Sequence, residues 1–121
     1  MQDPDVPSSV DLMFRAVADL TRLRILCLLH RRELCVGDIV DILQVAQPKT
    51  SRHLAHLRKA GLVNVRKSGL WSYYFLSPAK TDFHEKLLLC LDNCIPEIPQ
   101  IQSDLARASA LEKLGRSCVP L

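Results

Sequence analysis

The chain has 121 residues, of which 48% are hydrophobic and 24% are charged, a composition typical of one globular domain with a single core. Its formal net charge of +3 and its pI of about 8.7 suit contact with a polyanion without requiring it. The polar, proline-containing start has no secretory pattern, and no run approaches the roughly 18 apolar residues of a membrane helix, so we expect a cytoplasmic protein without a membrane partner.

The five cysteines point to reactive thiols rather than to a disulfide framework. An odd number of cysteines in a chain of this kind is typical of free thiols, metal ligands or redox sensors. The histidines occur in no catalytic motif, and the four glycines form no phosphate-binding loop. We therefore expect neither an enzyme nor an organic cofactor.

Two helices are predicted before residue 33, after a flexible leader of residues 1–8. The first helix runs from Ser9 to about Asp19, because apolar residues recur there three and four positions apart. The second follows at once, with Asp19 or Thr21 as its cap. Its sequence, TRLRILCLLHRR, is apolar nearly all round, which predicts a buried position at the centre of the fold.

Residues 36–60 predict a helix-turn-helix with a basic second helix. Pro48 suits the first turn of that helix, and Leu54 and Leu57 form its buried seam, with Thr50 on the same side. At about 100° per residue, the side opposite the seam carries the residues that would face a DNA major groove: Lys49, Arg52, His56 and Lys59. An ordinary amphipathic pair with solvated charges is the alternative interpretation.

A β-hairpin is predicted after Gly61, which suits the left-handed end of the second helix. Two β-prone runs, 62–65 and 71–75, flank a turn at Lys67-Ser68-Gly69. Arg66 and Lys67, near the tip, would meet phosphates if the hairpin lay beside a duplex. The predicted fold class is therefore mainly α with a small β-hairpin, a winged helix-turn-helix.

Two further helices are predicted, a fifth over residues 79–94 and a weaker sixth over 98–114. The fifth helix is more apolar than one buried face requires, so we expect it to pair with a second copy of the chain and to present two helix-turn-helix units to a palindromic DNA site. The chain is thus divided into a winged domain with terminal dimerisation helices, residues 9–95, and a C-terminal tail, residues 96–121.

Three segments together resemble the ArsR/SmtB family of arsenical-resistance and metal-sensing repressors: TRLRIL in the second helix, QPKTSRHL in the basic helix, and GLV followed by the aromatic-rich WSYYF. The resemblance extends over most of residues 10–95. It implies a dimeric repressor that leaves double-stranded operator DNA when an inducer binds. It also implies DNA contacts from the positions that match the family's recognition helix, namely Gln47, Lys49, Thr50, Ser51, Arg52 and His53. With His56, Arg66 and Lys67, these are the predicted DNA-binding residues.

The resemblance implies trivalent arsenic, with antimonite as a further candidate, as the inducer. Arsenic-sensing relatives often carry a pair of cysteines at the start of the third helix, where this chain has only Cys35. Cys90 and Cys94 offer a substitute, because residues four apart on a helix have Cβ atoms about 5–6 Å apart on one face, and soft ions prefer thiolates. Some relatives place their cysteines near the end of this helix. Cys118 is the candidate third ligand, with Cys35 as a further possibility; Cys27 is expected in the core.

Three alternatives stay open. Asp82 and His84 match half of a zinc site that some relatives carry early in the fifth helix. Persulfide- or oxidant-sensing relatives pair a cysteine of the second helix with one late in the fifth, and Cys27 with Cys94 lies near that arrangement. The third alternative is an interaction protein that has lost DNA binding and keeps only its dimer helices.

Overall fold

The structure is a computed structural model, and it describes residues 9–115. The predicted leader and Cys118 lie outside the described residues. The helices are α1 (Ser9–Val17), α2 (Leu20–Leu29), α3 (Val36–Leu43), α4 (Gln47–Lys59), α5 (Asp82–Cys94) and α6 (Pro99–Lys113). The strands are β1 (Leu34–Cys35), β2 (Val63–Ser68) and β3 (Trp71–Leu76). This is the predicted winged helix-turn-helix class, mainly α with a small sheet.

Helix α2 forms the centre of the core, as its apolar sequence predicts. Its N-terminus is capped by Asp19, whose carboxylate accepts a hydrogen bond from the backbone N–H of Arg22 at 3.0 Å. All five residues from Ile25 to Leu29 are buried. Helix α2 contacts all five other α-helices of the described residues: α1, α3, α4, α5 and α6.

The break between α3 and α4 is made by backbone geometry. Gln44 ends α3 in the left-handed conformation, with φ of 58°, and its N–H bonds to the Val40 carbonyl. Helix α4 then begins with Pro48 in its first turn, where a missing N–H costs nothing. At the other end Gly61 adopts φ of +79°, the predicted left-handed stop that turns the chain into β2.

The hairpin belongs to a three-stranded antiparallel sheet with strand order β1-β3-β2. Its last pair joins Ser68 to Trp71, so the loop is Gly69-Leu70, one residue later than the predicted turn. Gly69 has φ of 61° and supplies the conformation that a two-residue hairpin loop needs. Strand β1 was not predicted, because two residues are too few to show a period.

Helices α5 and α6 differ in detail from the prediction. Helix α5 begins at Asp82 rather than at residue 79, because the Thr81 hydroxyl caps it by accepting a hydrogen bond from the His84 N–H at 3.1 Å. The sixth helix is present and folds back onto α2 and α3. It is fastened by an ion pair in which Arg24 donates to both oxygens of the buried Asp104, at 2.8 and 2.9 Å. The same guanidinium donates to the Leu43 carbonyl at the end of α3, at 3.0 Å.

An apolar face remains uncovered where α1 and α5 meet. The rings of Phe14 and Phe83 lie 5.1 Å apart, and Phe14 is 55% exposed. Leu89 of α5 is 60% exposed. Leu91 of the same helix is instead buried at 1% exposure, where its carbonyl meets the Cys27 thiol of α2. Among the described residues no helix is long and apolar enough to span a membrane.

Candidate DNA-binding surface and thiol cluster

The outward face of α4 carries the cations that the helical period predicts. Leu54 and Leu57 are fully buried, and the residues on the other side are exposed: Lys49, Arg52, His56 and Lys59. Gln47 and Ser51, in the first turns of the helix, are exposed as well. A packed seam therefore holds a polar, cationic surface rigidly toward solvent.

Thr50 does not belong to that surface. Its side chain is fully buried, and its hydroxyl donates a hydrogen bond to the Val45 carbonyl at 3.1 Å. A hydroxyl committed to the backbone of the preceding turn cannot reach a base edge. The predicted DNA contact by Thr50 therefore has no support in the structure, and the residue stabilises the turn that aims α4.

His53 is held rather than free. Its Nδ1 lies 3.4 Å from the Arg22 guanidinium and 4.0 Å from the Asp19 carboxylate. Arg22 is itself fixed, because its Nε donates to the Ala16 carbonyl at 2.7 Å. Burial lowers the pKa of His53, and the neighbouring cations lower it further against the pull of Asp19. The imidazole is therefore neutral near pH 7, and since arginine is always a donor, Nδ1 accepts the hydrogen bond.

Arg66, predicted to meet phosphates, is bound within the protein. Its guanidinium forms two hydrogen bonds with the Glu33 carboxylate, one from Nε at 3.1 Å, and lies over the Tyr73 ring at 4.6 Å. The Arg66 hydrogen bond lowers the pKa of Glu33, so the carboxylate is charged at neutral pH. Lys67, the next residue, is exposed. The wing thus offers phosphates one exposed lysine and one arginine whose charge is already balanced by Glu33.

Charge is strongly segregated along the chain. Residues 42–81 contain seven lysines and arginines and no aspartate or glutamate, although the whole chain has 13 acidic residues. This segment comprises α4 and the hairpin, together with the end of α3. It adds Arg58 and Lys80, both exposed, to the predicted cations. The missing acids were visible in the sequence and would have extended the predicted basic surface to these two residues.

Three free thiols lie around α5. The Cys90 thiol is exposed and donates to the Leu87 carbonyl at 3.0 Å, and the half-buried Cys94 thiol donates to the Cys90 carbonyl at 3.7 Å. Burial, and secondarily the nearby Cys90, raises the pKa of Cys94. Cys27 is buried on α2 and donates to the Leu91 carbonyl at 3.8 Å. Burial raises the pKa of Cys27 to about 12, with a further contribution from Cys94.

The other predicted ligands do not join this cluster. Cys35 is disulfide-bonded, so it is neither the free thiol nor the further ligand that the sequence predicted. It is buried at the start of α3, where its Sγ accepts a hydrogen bond from the Asp38 N–H at 3.5 Å. Asp82 is exposed, whereas His84 is 1% exposed and its Nδ1 accepts from the Lys80 N–H at 3.4 Å, because residues two apart on a helix point to different sides. Within residues 9–115 no group of three or more His, Cys, Asp or Glu side chains is arranged to hold a metal ion.

The fold and the cationic face of α4 define a winged helix-turn-helix protein of the kind that regulates transcription. Residues 19–65 match the family described as bacterial regulatory protein, arsR family. The chain is 42% identical over 78 residues to the arsenic resistance transcriptional regulator ArsR1 of Pseudomonas putida, covering 64% of this chain and 61% of that protein. It is 52% identical over 67 residues to the arsenical resistance operon repressor of Escherichia coli, covering 54% and 57%. The chain thus spans about three fifths of these relatives.

Solved structures agree with this assignment. HlyU from Vibrio cholerae N16961 superimposes with a TM-score of 0.63 at 35% identity, covering 71% of this chain and 90% of that chain. The homodimeric winged helix-turn-helix DNA-binding domain of Mb0332 from Mycobacterium bovis, a possible ArsR-family transcriptional regulator, gives 0.62 at 27% identity, covering 74% and 80%. The chain belongs to the ArsR family. Its relatives and structural neighbours are named as transcriptional regulators rather than enzymes.

Proposed function

We propose that the protein is a homodimeric transcriptional repressor that binds operator DNA and releases it when trivalent arsenic binds to thiols of α5. The observation that carries the DNA-binding part is the exposed cationic face of α4 within a 40-residue segment free of acidic residues. Cations in such a surface displace counterions from the phosphate backbone, which supplies most of the sequence-independent affinity. Polar residues in the first turns of a recognition helix are placed to read base edges in the major groove.

The proposed contacts divide by chemistry. Lys49, Arg52 and Lys67 supply phosphate contacts, while Gln47, Ser51 and His56 supply donors and acceptors for bases. His53 and Arg66 act at the edge of the surface, the first held by Arg22 and the second balanced by Glu33. Thr50 is left out because its hydroxyl is buried.

The uncovered face of α1 and α5 supports a dimer. An exposed Phe14 packed on Phe83, with Leu89 also exposed on α5, is more apolar surface than a monomer of this size usually leaves in water. A second copy of the chain, related by a twofold axis, would cover this apolar face. The resulting dimer would present two α4 helices to a palindromic operator. The similarity to the homodimeric Mb0332 domain supports the same arrangement.

The inducer part rests on Cys90 and Cys94 together with the names of the arsenic-resistance relatives. Neutral arsenous acid reacts with protonated thiols by exchanging hydroxide for sulfur, and each new As–S bond releases one water molecule. The raised pKa of Cys94 is therefore no obstacle, because the thiol proton leaves in that water. Two thiols one helical turn apart supply two bonds, and Cys118, outside the described residues, remains the proposed third ligand. Antimonite would react in the same way.

The coupling would run through α2. Helix α5 contacts α2 where the Cys27 thiol donates to the Leu91 carbonyl, and α2 contacts α4 directly. An arsenic atom that draws Cys90 and Cys94 together would therefore strain the helix at the turn that touches α2. A shift from 1:99 to 99:1 in favour of the released state needs about 5.5 kcal/mol of differential binding, which two or three As–S bonds can supply.

The test is fluorescence-anisotropy binding of the reduced protein to its own upstream promoter duplex, titrated with arsenite, zinc and a persulfide donor. The double variant Cys90→Ser/Cys94→Ser should bind the duplex like the parent and no longer be released by arsenite. Cys27→Ser is the matched control and should keep its arsenite response. Release of the double variant from the duplex by arsenite would contradict the assignment of Cys90 and Cys94 as ligands. Absence of duplex binding at low salt would contradict the proposed repressor function.

A redox repressor using Cys27 and Cys94 is the second candidate, favoured by the packing of the Cys27 thiol against α5. A disulfide between them would need an oxidant such as a persulfide or peroxide to accept two electrons. A buried thiol with a pKa of about 12 is almost entirely protonated at pH 7, so it is a poor nucleophile. This second function would nevertheless be supported if the persulfide donor, and neither arsenite nor zinc, released the protein from the duplex, and if the Cys27→Ser variant lost that response.

A further inference from the structure

The tip of the β2–β3 hairpin exposes two large apolar side chains. Leu70 is 100% exposed and Trp71 is 53% exposed, although both are residues that proteins normally bury. They stand together in and beside the two-residue loop that Gly69 makes possible, at the point of the hairpin farthest from its base. They belong to the hairpin rather than to α1 or α5, the helices that carry the uncovered face, so the proposed dimer contact does not account for them.

The surroundings of the tip indicate an anionic partner. Residues 62–80 contain Arg66, Lys67 and Lys80 and no acidic residue, so a negatively charged protein or nucleic acid is favoured. Of the two cations on the hairpin, Arg66 is neutralised by Glu33. Lys67 is therefore the hairpin cation that attracts a polyanion, and the large side chains exposed at the tip, Leu70 and Trp71, are apolar.

The hairpin is also braced. Strand β3 pairs with β2 along six residues and with β1 on its other edge. Arg66 ties β2 to Glu33 beside β1 and stacks on Tyr73 of β3. Because the hairpin is braced, its tip can insert into a partner without the hairpin bending. A flexible loop would bend instead.

We propose that the wing tip is an apolar wedge that enters the minor groove of the operator, with Leu70 and Trp71 partly unstacking a base step. The inference rests on the proposed DNA-binding function and adds to it a deformed, kinked duplex as the preferred partner. Apolar side chains inserted at the minor groove unstack base steps in this way in architectural DNA-binding proteins. The step opposite the tip should therefore be a flexible pyrimidine–purine step such as TA or CA.

Trp71 is the single tryptophan of the chain, so its emission reports on the wing alone. The full-length protein is titrated with its upstream promoter duplex, and with heparin as a polyanion that has no bases. We expect the duplex to quench Trp71 emission by about half or more, and heparin to change it little. Fluorophores at the two duplex ends should approach each other on binding, as expected for a kinked duplex.

A matched pair of variants separates the wedge from simple charge attraction. Leu70→Ser should lower duplex affinity about tenfold without changing the salt dependence, because the substitution removes no cation and so leaves counterion release as it was. Leu114→Ser, a change at another exposed leucine outside the wing, should leave affinity unchanged. Lys67→Ala should instead reduce the slope of log affinity against log salt by about one.

The outcomes are distinguishable. Duplex binding with unchanged Trp71 emission, an unbent duplex and wild-type affinity of Leu70→Ser would overturn the wedge and leave the proposed function standing. Equal quenching by heparin and duplex would likewise overturn it, because base stacking would not be needed. Absence of duplex binding at low salt would remove the proposed function and the wedge together. Equal melting temperatures of wild type and Leu70→Ser would exclude misfolding as the cause of an affinity loss.

Discussion

Helices α4 and α5 each have thirteen residues, yet they leave opposite kinds of surface exposed. Helix α4 buries Leu54 and Leu57 and turns cations outward, whereas α5 buries His84 and Leu91 and turns Leu89 and Cys90 outward. Both helices are amphipathic enough to pack on the same core. The difference indicates that the buried residues determine how each helix packs on the core. The exposed residues are then available to partners, and they are cations on α4 but apolar and thiol side chains on α5.

The largest effect is expected from removing the cations that distinguish α4. The double variant Lys49→Ala/Arg52→Ala should lower duplex affinity about 100-fold, because both side chains are exposed on the cationic face, and should reduce the salt slope by about one for each phosphate that is no longer neutralised. Anisotropy titrations at several salt concentrations measure both quantities. Lys86→Ala, the same change on the exposed side of α5, is the control and should have little effect. Equal reductions of affinity in both variants would contradict the proposed division of labour.

The next largest effect is expected on α1 and α5. Phe14→Asp places a charge on the uncovered apolar face, where Phe14 lies against Phe83, and should shift the protein toward monomers. Operator affinity should then fall roughly tenfold, because one protomer reaches only one half-site. Sedimentation velocity measures the first effect and anisotropy the second. If Phe14→Asp formed a dimer as stable as that of the wild type, another surface would have to join the protomers. Leu114→Asp, just beyond the end of α6, is the control and should leave the dimer intact.

The helical period of the sequence predicted which residues of α4 are exposed, but it did not predict which residues of α5 are exposed. Apolar residues three and four apart set the buried side of α4, so the exposure of Lys49 and Arg52 followed from angles alone. In α5 every residue from 87 to 91 is apolar, so the period could not tell that Leu91 lies inside and Leu89 outside. That choice is made by contact with α2, which a local pattern does not record.

Contacts between distant residues were invisible for the same reason. Arg24 and Asp104 are 80 positions apart, and Glu33 and Arg66 are 33 apart. Strand β1 exists only because β3 offers it an edge, and it brings Glu33 beside the wing. The sequence therefore predicted that the Arg66 charge is available to phosphates, whereas in the folded chain that charge is paired with Glu33. A charge on a hairpin can be judged only after its cross-chain neighbours are known.

A smaller effect should come from releasing that charge. Glu33→Gln removes the carboxylate that balances Arg66, so the guanidinium becomes available to a phosphate, and duplex affinity should rise about threefold with a steeper salt slope. Glu85→Gln, an exposed carboxylate on α5, makes the same charge change away from the wing and should raise affinity less. The wing would be shown not to use Arg66 if Glu33→Gln bound no more tightly than Glu85→Gln.

The smallest expected effect concerns the histidines of the two helices. Burial lowers the pKa of His84 on α5, and the neighbouring Lys80 lowers it further. The unfolded chain, whose histidine has its ordinary pKa of about 6.5, therefore takes up the proton first as the pH falls. The free energy of unfolding should consequently be highest above pH 7 and fall below it, by up to about 1.4 kcal/mol for each unit by which the folded pKa is lowered.

Urea unfolding at pH 7.5 and pH 5.5 measures this dependence. His84→Leu should show a smaller loss of stability between the two pH values than wild type, because its side chain is fully buried and no longer titrates. His56→Gln on α4 should remove less of the loss, since burial also lowers the pKa of His56 but water screens its exposed side chain. If His84→Leu retained the full wild-type dependence, the acid sensitivity would have to arise from other titrating groups, and α5 would not differ from α4 in the way its buried histidine implies.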